Sequence, residues 1–142
     1  LIREIKENKK KYYFTKNLKL PELIRSSNDF DFYDEINVNE NYITNKSIVS
    51  EIINFEKIKN FKSIKNKIIL IENADPGYDF LFSHGIKGLI TKFGGSNSHM
   101  AIRCLELEIP AIIGMGEKKF NDIKEVKKIF IDCKNSNYKV LL

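Results

Sequence analysis

Past residue 45 the apolar positions of this chain come in short blocks separated by turn residues, and each block predicts one element. The β-branched stretch 46–55 (KSIVSEIINF) reads as a strand. KIILIE (67–72) and GLIT (88–91) are unbroken apolar runs, the pattern of strands buried on both faces. Between them NADPG (73–77) is a turn, with Asp75 and Pro76 placed to start a helix through 78–82. After the second run, Gly94, Gly95, Ser96 and Asn97 make a tight loop. A helix is predicted from Ser98 to about Glu108, with Ala101, Ile102, Leu105 and Ile109 on its apolar face, and Pro110 ends it. Residues 111–113 read as a strand closed by Gly114 and Gly116, 117–123 as a short helix, 128–132 as a strand, and 138–142 as a last strand after a turn at 135–137. Strands alternating with short helices predict an α/β layer structure around a largely parallel sheet. There is no internal repeat.

The first 45 residues lack this order. Residues 1–20 are lysine-rich and read as a helix end plus linker, with Leu1, Ile5 and Tyr12 sharing a poorly defined face, and Pro21 stops any helix there. Residues 26–45 are acidic and turn-rich with scattered aromatics, the character of an irregular wrap or linker. The expected organisation is therefore a tether or wrap over 1–45 and one folded domain over 46–142.

Composition narrows the class. Apolar residues make up 42% and charged residues 30%, a globular balance that excludes a disordered tail, a collagen-like fibre and a disulfide-stapled miniprotein. The net charge of +5 comes from lysines scattered among Asn and Ile, with no basic cluster interleaved with aromatics, so no nucleic-acid partner is expected. Cys104 and Cys133 have neither a metal-ligand set nor a disulfide framework around them. No apolar run approaches the roughly 18 residues that span a bilayer, and the N-terminus is charged throughout, so the expectation is a cytoplasmic protein without a membrane partner. A first residue that is leucine leads us to expect a piece of a longer polypeptide. All seven glycines and both histidines, His84 and His99, lie between 77 and 116, which puts special backbone and candidate chemistry in one window.

Within that window, TKFGGSNSH (91–99) stands out. A buried strand ends, two glycines turn the chain, Asn97 or Ser98 caps a helix, and His99 falls in its first turn. The unpaired N–H groups of a helix start favour a phosphoryl group, and Gly94 and Gly95 let the backbone approach it. Neutral imidazole is a nucleophile near pH 7 without a separate base. His99 is thus a candidate nucleophile that could accept a phosphoryl group. Gly94, Gly95, Ser96 and Ser98 are the candidate phosphoryl pocket, Thr91 and Asn97 candidate ring- or phosphate-positioning groups, and Arg103, one turn after His99, a candidate phosphate ligand or a solvent-facing arginine. His84 reads as a loop histidine, and Tyr78 and Phe80 as packing residues. No carboxylate pair suggests a metal site. The same local pattern also suits a cap histidine in an ordinary strand–turn–helix.

Residues 85–117, GIKGLITKFGGSNSHMAIRCLELEIPAIIGMGE, resemble the phosphohistidine swivelling domain of phosphoenolpyruvate-utilising enzymes. That family includes phosphoenolpyruvate synthase, pyruvate phosphate dikinase and Enzyme I of the sugar phosphotransferase system. Gly88, Thr91, Gly94, Gly95, Ser98, His99, Ala101, Ile102, Glu106, Ile109, Pro110, Ala111 and Gly114 fall in register with its pattern. Asn97, Leu105 and Lys92 depart from it, standing where the family often has Thr, Arg and Asp, and set the chain apart from those three branches. With IENADPGYDFLF and NYITNKS upstream, it is more similar to ATP-dependent phosphotransferases in which an ATP-grasp-type domain precedes a C-terminal histidine domain, such as capsular glutamine kinases.

The resemblance implies a swivelling β/β/α fold and a shuttle in which His99 takes a phosphoryl group from ATP and delivers it to a small-molecule acceptor, L-glutamine for capsular phosphoramidate in the glutamine kinases. ATP or phosphoenolpyruvate and Mg²⁺ would sit on partner domains of the same polypeptide, with no cofactor on this one. The alternatives are the swivel domain of a phosphoenolpyruvate synthase or dikinase-like enzyme, and a non-catalytic regulatory or binding module with the same fold.

Overall fold

The computed structural model describes residues 2–17 and 39–141. The chain divides into an N-terminal unit and a unit that carries residues 39–141. In the first, α1 (Ile2–Asn17) is a lysine-rich helix with Glu4 in its first turn, where an acidic group complements the helix dipole. Ile5 and Tyr12 are both exposed on it. The expectations for Leu1, Pro21 and residues 26–38 lie outside the described residues.

The second unit is built on a seven-stranded sheet. Its strands are β1 (Asn41–Ile43), β2 (Ser47–Asn54), β3 (Ile68–Asn73), β4 (Gly88–Phe93), β5 (Ala111–Ile113), β6 (Lys128–Asp132) and β7 (Asn137–Leu141), in the spatial order β1-β5-β4-β3-β2-β6-β7. The expected α/β class holds. The sheet is parallel from β2 through β3 and β4 to β5. It is antiparallel at both flanks, where β1 joins β5, and β6 joins β2 and β7. Asn41–Ile43, read from sequence as part of the wrap before residue 46, is β1, and Asn41 ties its side chain to the Ile113 carbonyl at 3.1 Å.

The unbroken apolar runs of β3, β4 and β5 are explained by burial on both sides, as parallel strands require. Ile68, Leu70, Ile90 and Ile112 face one core with Met115, Phe120, Ile123, Ile129 and Ile131. Ile69, Ile71, Leu89, Ala111 and Ile113 face the other, with Ile64, Leu81, Ile86, Met100, Ala101 and Cys104. Each fully buried Ile or Leu contributes about 1.5–3 kcal/mol. The first core is covered by α4 (Glu117–Ile123), the second by α2 (Phe80–Ser83) and α3 (His99–Glu106).

The face of α3 differs from the expectation. Met100, Ala101 and Cys104 are buried, whereas Ile102 and Leu105 are 49% and 61% exposed. Small Ala101 and Cys104 let the helix lie close on the sheet, so the inward stripe is set one residue away from the larger aliphatics. Burial pushes the Cys104 thiol up to about 12 and raises that of Cys133 as well. A thiol reagent at pH 8 should therefore find neither cysteine in the native chain and both in denaturant, measured by absorbance of the released chromophore.

α3 ends in a Schellman motif. The Ile109 N–H bonds the Cys104 carbonyl at 2.8 Å, the Glu108 N–H bonds Leu105 at 3.2 Å, and Glu108 takes φ 55°. Glycine is the usual residue at that position. Glu108→Gly should stabilise the unit by about 1 kcal/mol, because relief of left-handed strain outweighs loss of the exposed Lys46–Glu108 ion pair. A shift in the urea midpoint at unchanged slope reads this directly.

Candidate functional site

The site lies where β3, β4 and β5 deliver their carboxyl ends side by side, the usual ligand edge of a parallel sheet. Three loops meet there. After β4, Gly94 (φ 133°) turns the chain with its Cβ position 2.5 Å from the Ala74 Cβ of the β3 loop. After β5, Gly114 (φ 70°) lies against the Gly94 carbonyl, 2.2 Å from where a Cβ would sit. Backbone bonds from Ala74 to Phe93, from Met115 to Thr91 and from Gly116 to Lys92 lock the three together. Thr91 is fully buried and its hydroxyl accepts the Gly114 N–H at 2.9 Å. Thr91 therefore ties the β4 and β5 loops together from inside the sheet.

Ser98 is the N-cap of α3, its Oγ accepting the Ala101 N–H at 3.3 Å, and His99 is the first helical residue. Gly95 faces open space, and Ser96 and Asn97 are exposed and make no side-chain hydrogen bond among the described residues. The loop before His99 thus exposes Gly95, Ser96 and Asn97, with Thr91 buried beneath it.

Sequence reasoning missed the partner of His99. Asp79 Oδ1 lies 2.9 Å from His99 Nε2 and 3.0 Å from Arg103 Nε. Arg103 in turn bonds Glu106 through Nη1 at 2.8 Å and lies over the Phe82 ring at 5.8 Å. Hydrogen bonding from His99, then from Arg103, holds the Asp79 carboxyl below the usual carboxylate range. Asp79 follows a single turn of 3-10 helix, Pro76–Tyr78, capped by Asp75, whose Oδ1 accepts the Gly77 N–H at 2.7 Å. The signal for it was available: the second acid of DPGYD follows the strand next to β4, so its loop adjoins the histidine loop. Arg103 is brought to the site, bound to the carboxylate beside His99, with its side chain 32% exposed.

His84 lies elsewhere. Its Nδ1 is 3.0 Å from the Phe80 carbonyl, and its ring packs with Phe61 and Phe80. Tyr78 packs edge-on against Phe55 at 5.0 Å. Among the described residues no group of three or more His, Cys, Asp or Glu side chains comes together as a metal site, and no helix is long and apolar enough to cross a membrane.

A histidine thus opens a short helix at the carboxyl edge of an α/β sheet, with its Nε2 paired to an Asp–Arg couple. The chain matches the family described as the PEP-utilising enzyme, mobile domain, across residues 64–136, just over half its length, and it belongs to that family. It is 33% identical over 99 residues to the phosphoenolpyruvate-protein phosphotransferase of Buchnera aphidicola subsp. Baizongia pistaciae (strain Bp), covering 60% of this chain. The match spans 17% of that relative's length. The solution NMR structure of a UPF0107 protein shares the fold, with a TM-score of 0.52 at 12% identity over 74% of this chain and 98% of that one.

Proposed function

We propose that this domain is a mobile phosphohistidine carrier in which His99 receives a phosphoryl group at one site and delivers it at another. The observation that carries the reading is the His99–Asp79–Arg103 cluster, exposed at the sheet edge inside the family match. His99 is 42% exposed, so a donor can reach the ring, and a cation stands beside it for the incoming charge. In loading, a ring nitrogen forms a bond to the donor's terminal phosphorus. The phosphorus–oxygen bond of the donor breaks, and its electron pair leaves with the donor oxygen. The second transfer repeats this with an acceptor oxygen or nitrogen as nucleophile and imidazole as leaving group.

The donor in this reading is ATP, bound with Mg²⁺ on an ATP-grasp-type domain of the same cytoplasmic polypeptide, and the acceptor is a small molecule such as L-glutamine. Phosphoenolpyruvate is the second reading for the donor, favoured by the name of the Buchnera relative.

The test is labelling of the full polypeptide with each donor, followed by peptide mapping at alkaline pH, where phosphohistidine survives. The expected result is an acid-labile phosphoryl group on His99 from ATP. Label from phosphoenolpyruvate alone selects the second donor. No label on His99 from either overturns the carrier role and leaves a binding module with this fold.

A further inference from the structure

We propose that Asp79 is a positioning residue that seats on His99 Nε2 while the ring is unloaded, and that the phosphoryl group takes over both its place and its arginine on loading. The inference rests on the carrier reading, which places Asp79 beside His99 but gives it no role.

One carboxylate oxygen stands between two N–H donors, 2.9 Å from His99 Nε2 and 3.0 Å from Arg103 Nε. That oxygen occupies the in-plane direction in which Nε2 would form a bond to phosphorus, so phosphoryl and carboxylate cannot both be there. The position is otherwise suited to a phosphoryl oxygen, which makes the same charge-assisted bond to a guanidinium as a carboxylate does. Nothing comparable serves Nδ1, which has no hydrogen-bond partner among the described residues. Arg103 need not move for the exchange. Its Nη1 is fixed to Glu106 and its guanidinium lies over Phe82, so only the partner of Nε changes. Asp79 is free to withdraw: it is 44% exposed, at the junction between a single 3-10 turn and the four-residue α2.

The proton balance is simple. In the unloaded neutral ring the proton sits on Nε2 and is donated to Asp79. As the pair opens, solvent carries that proton to Nδ1 and the lone pair falls on Nε2. Nε2 then bonds phosphorus while the donor's phosphorus–oxygen bond breaks, its electrons leaving with the donor. The negative phosphoryl group and the Asp79 carboxylate repel, which keeps Asp79 off the loaded ring. The groups that face this ring are Asp79 and Arg103, with Glu106 behind Arg103.

Potassium phosphoramidate, a small donor that phosphorylates imidazole without an enzyme, tests this on the chain itself. Asp79→Asn keeps the size of the side chain and removes its charge. Phosphorylation of His99 should run about two- to fivefold faster than in wild type, the range for opening one exposed ion pair. The adduct should lie on Nε2, assigned by long-range ¹H–¹⁵N NMR, and in wild type the amides of 76–83 should shift on loading. Arg103→Gln should shorten the lifetime of the adduct. The gain counts only for a variant whose amide NMR spectrum is native outside residues 76–83, because an unfolded chain would also free the ring. Equal rates for Asp79→Asn and wild type, an adduct on Nδ1, or failure of the variant ring to react would overturn the proposal. Phosphoramidate needs no second domain, so this outcome is separate from failure of ATP and phosphoenolpyruvate to label His99, which would sink the carrier reading instead.

Discussion

A His99→Gln chain is expected to lose all acid-labile, alkali-stable phosphoryl label while unfolding within about 0.5 kcal/mol of wild type. The two halves of that expectation have separate causes. The stability term is small because the ring is 42% exposed and lies outside both cores. Glutamine also forms helix well, and its amide can still donate to Asp79. The chemical term is complete because an amide nitrogen has no lone pair available for phosphorus, whereas neutral imidazole has one near pH 7. Since the chain has two histidines, His84→Gln is the natural control. His84 sits at the end of α2 among Phe61 and Phe80, away from Asp79 and Arg103, so this variant should keep its label. Labelling of both variants under identical donor conditions, with urea unfolding alongside, checks the pair. Label that persists in His99→Gln removes His99 from the chemistry altogether.

The elements that place His99 were legible because their burial is two-sided. β3, β4 and β5 are apolar at successive positions, which no half-exposed strand tolerates, and Gly94, Gly95 and Pro110 punctuate them at their ends. α4 was equally plain, ending at Ile123 as its pattern predicts. What the pattern could not decide was the inward face of α3. Met100, Ala101, Ile102, Cys104 and Leu105 are all apolar, so periodicity leaves two stripes open and the close approach of small side chains to the sheet chooses between them. β1 is three residues long and only half-buried, and it becomes a strand by pairing with β5, about seventy positions away. Strand order brings the Asp79 loop beside the histidine loop, but the pairing itself is a contact across 20 positions that no local pattern specifies.

The tightest constraint on the site is steric, and it predicts a large loss. Gly114→Ala should destabilise the unit by about 3 kcal/mol or more. A left-handed φ of 70° costs an alanine about 1–2 kcal/mol. The added Cβ would sit 2.2 Å from the Gly94 carbonyl oxygen, which is backbone and cannot rotate away. Gly94 is closely packed in turn, since a Cβ added there would lie 2.5 Å from the Ala74 Cβ and 3.2 Å from the Ile113 side chain. Relief must come from shifting the β4 or β5 loop, at a further cost of about 1–3 kcal/mol for overpacking. That shift would also break the bond from the Gly114 N–H to the buried Thr91 hydroxyl. For a unit of this size the melting temperature should fall by roughly 10–20 °C. Gly95→Ala is the internal comparison: nothing lies within 4 Å of its added Cβ, and its stability should stay within about 0.5 kcal/mol of wild type. Because the Gly94 loop leads directly into Ser98 and His99, native-like Gly114→Ala molecules at low temperature should also label more slowly than Gly95→Ala. Equal melting temperatures for the two variants would show that the three loops are not wedged together, and that the position of His99 is set by α3 packing alone.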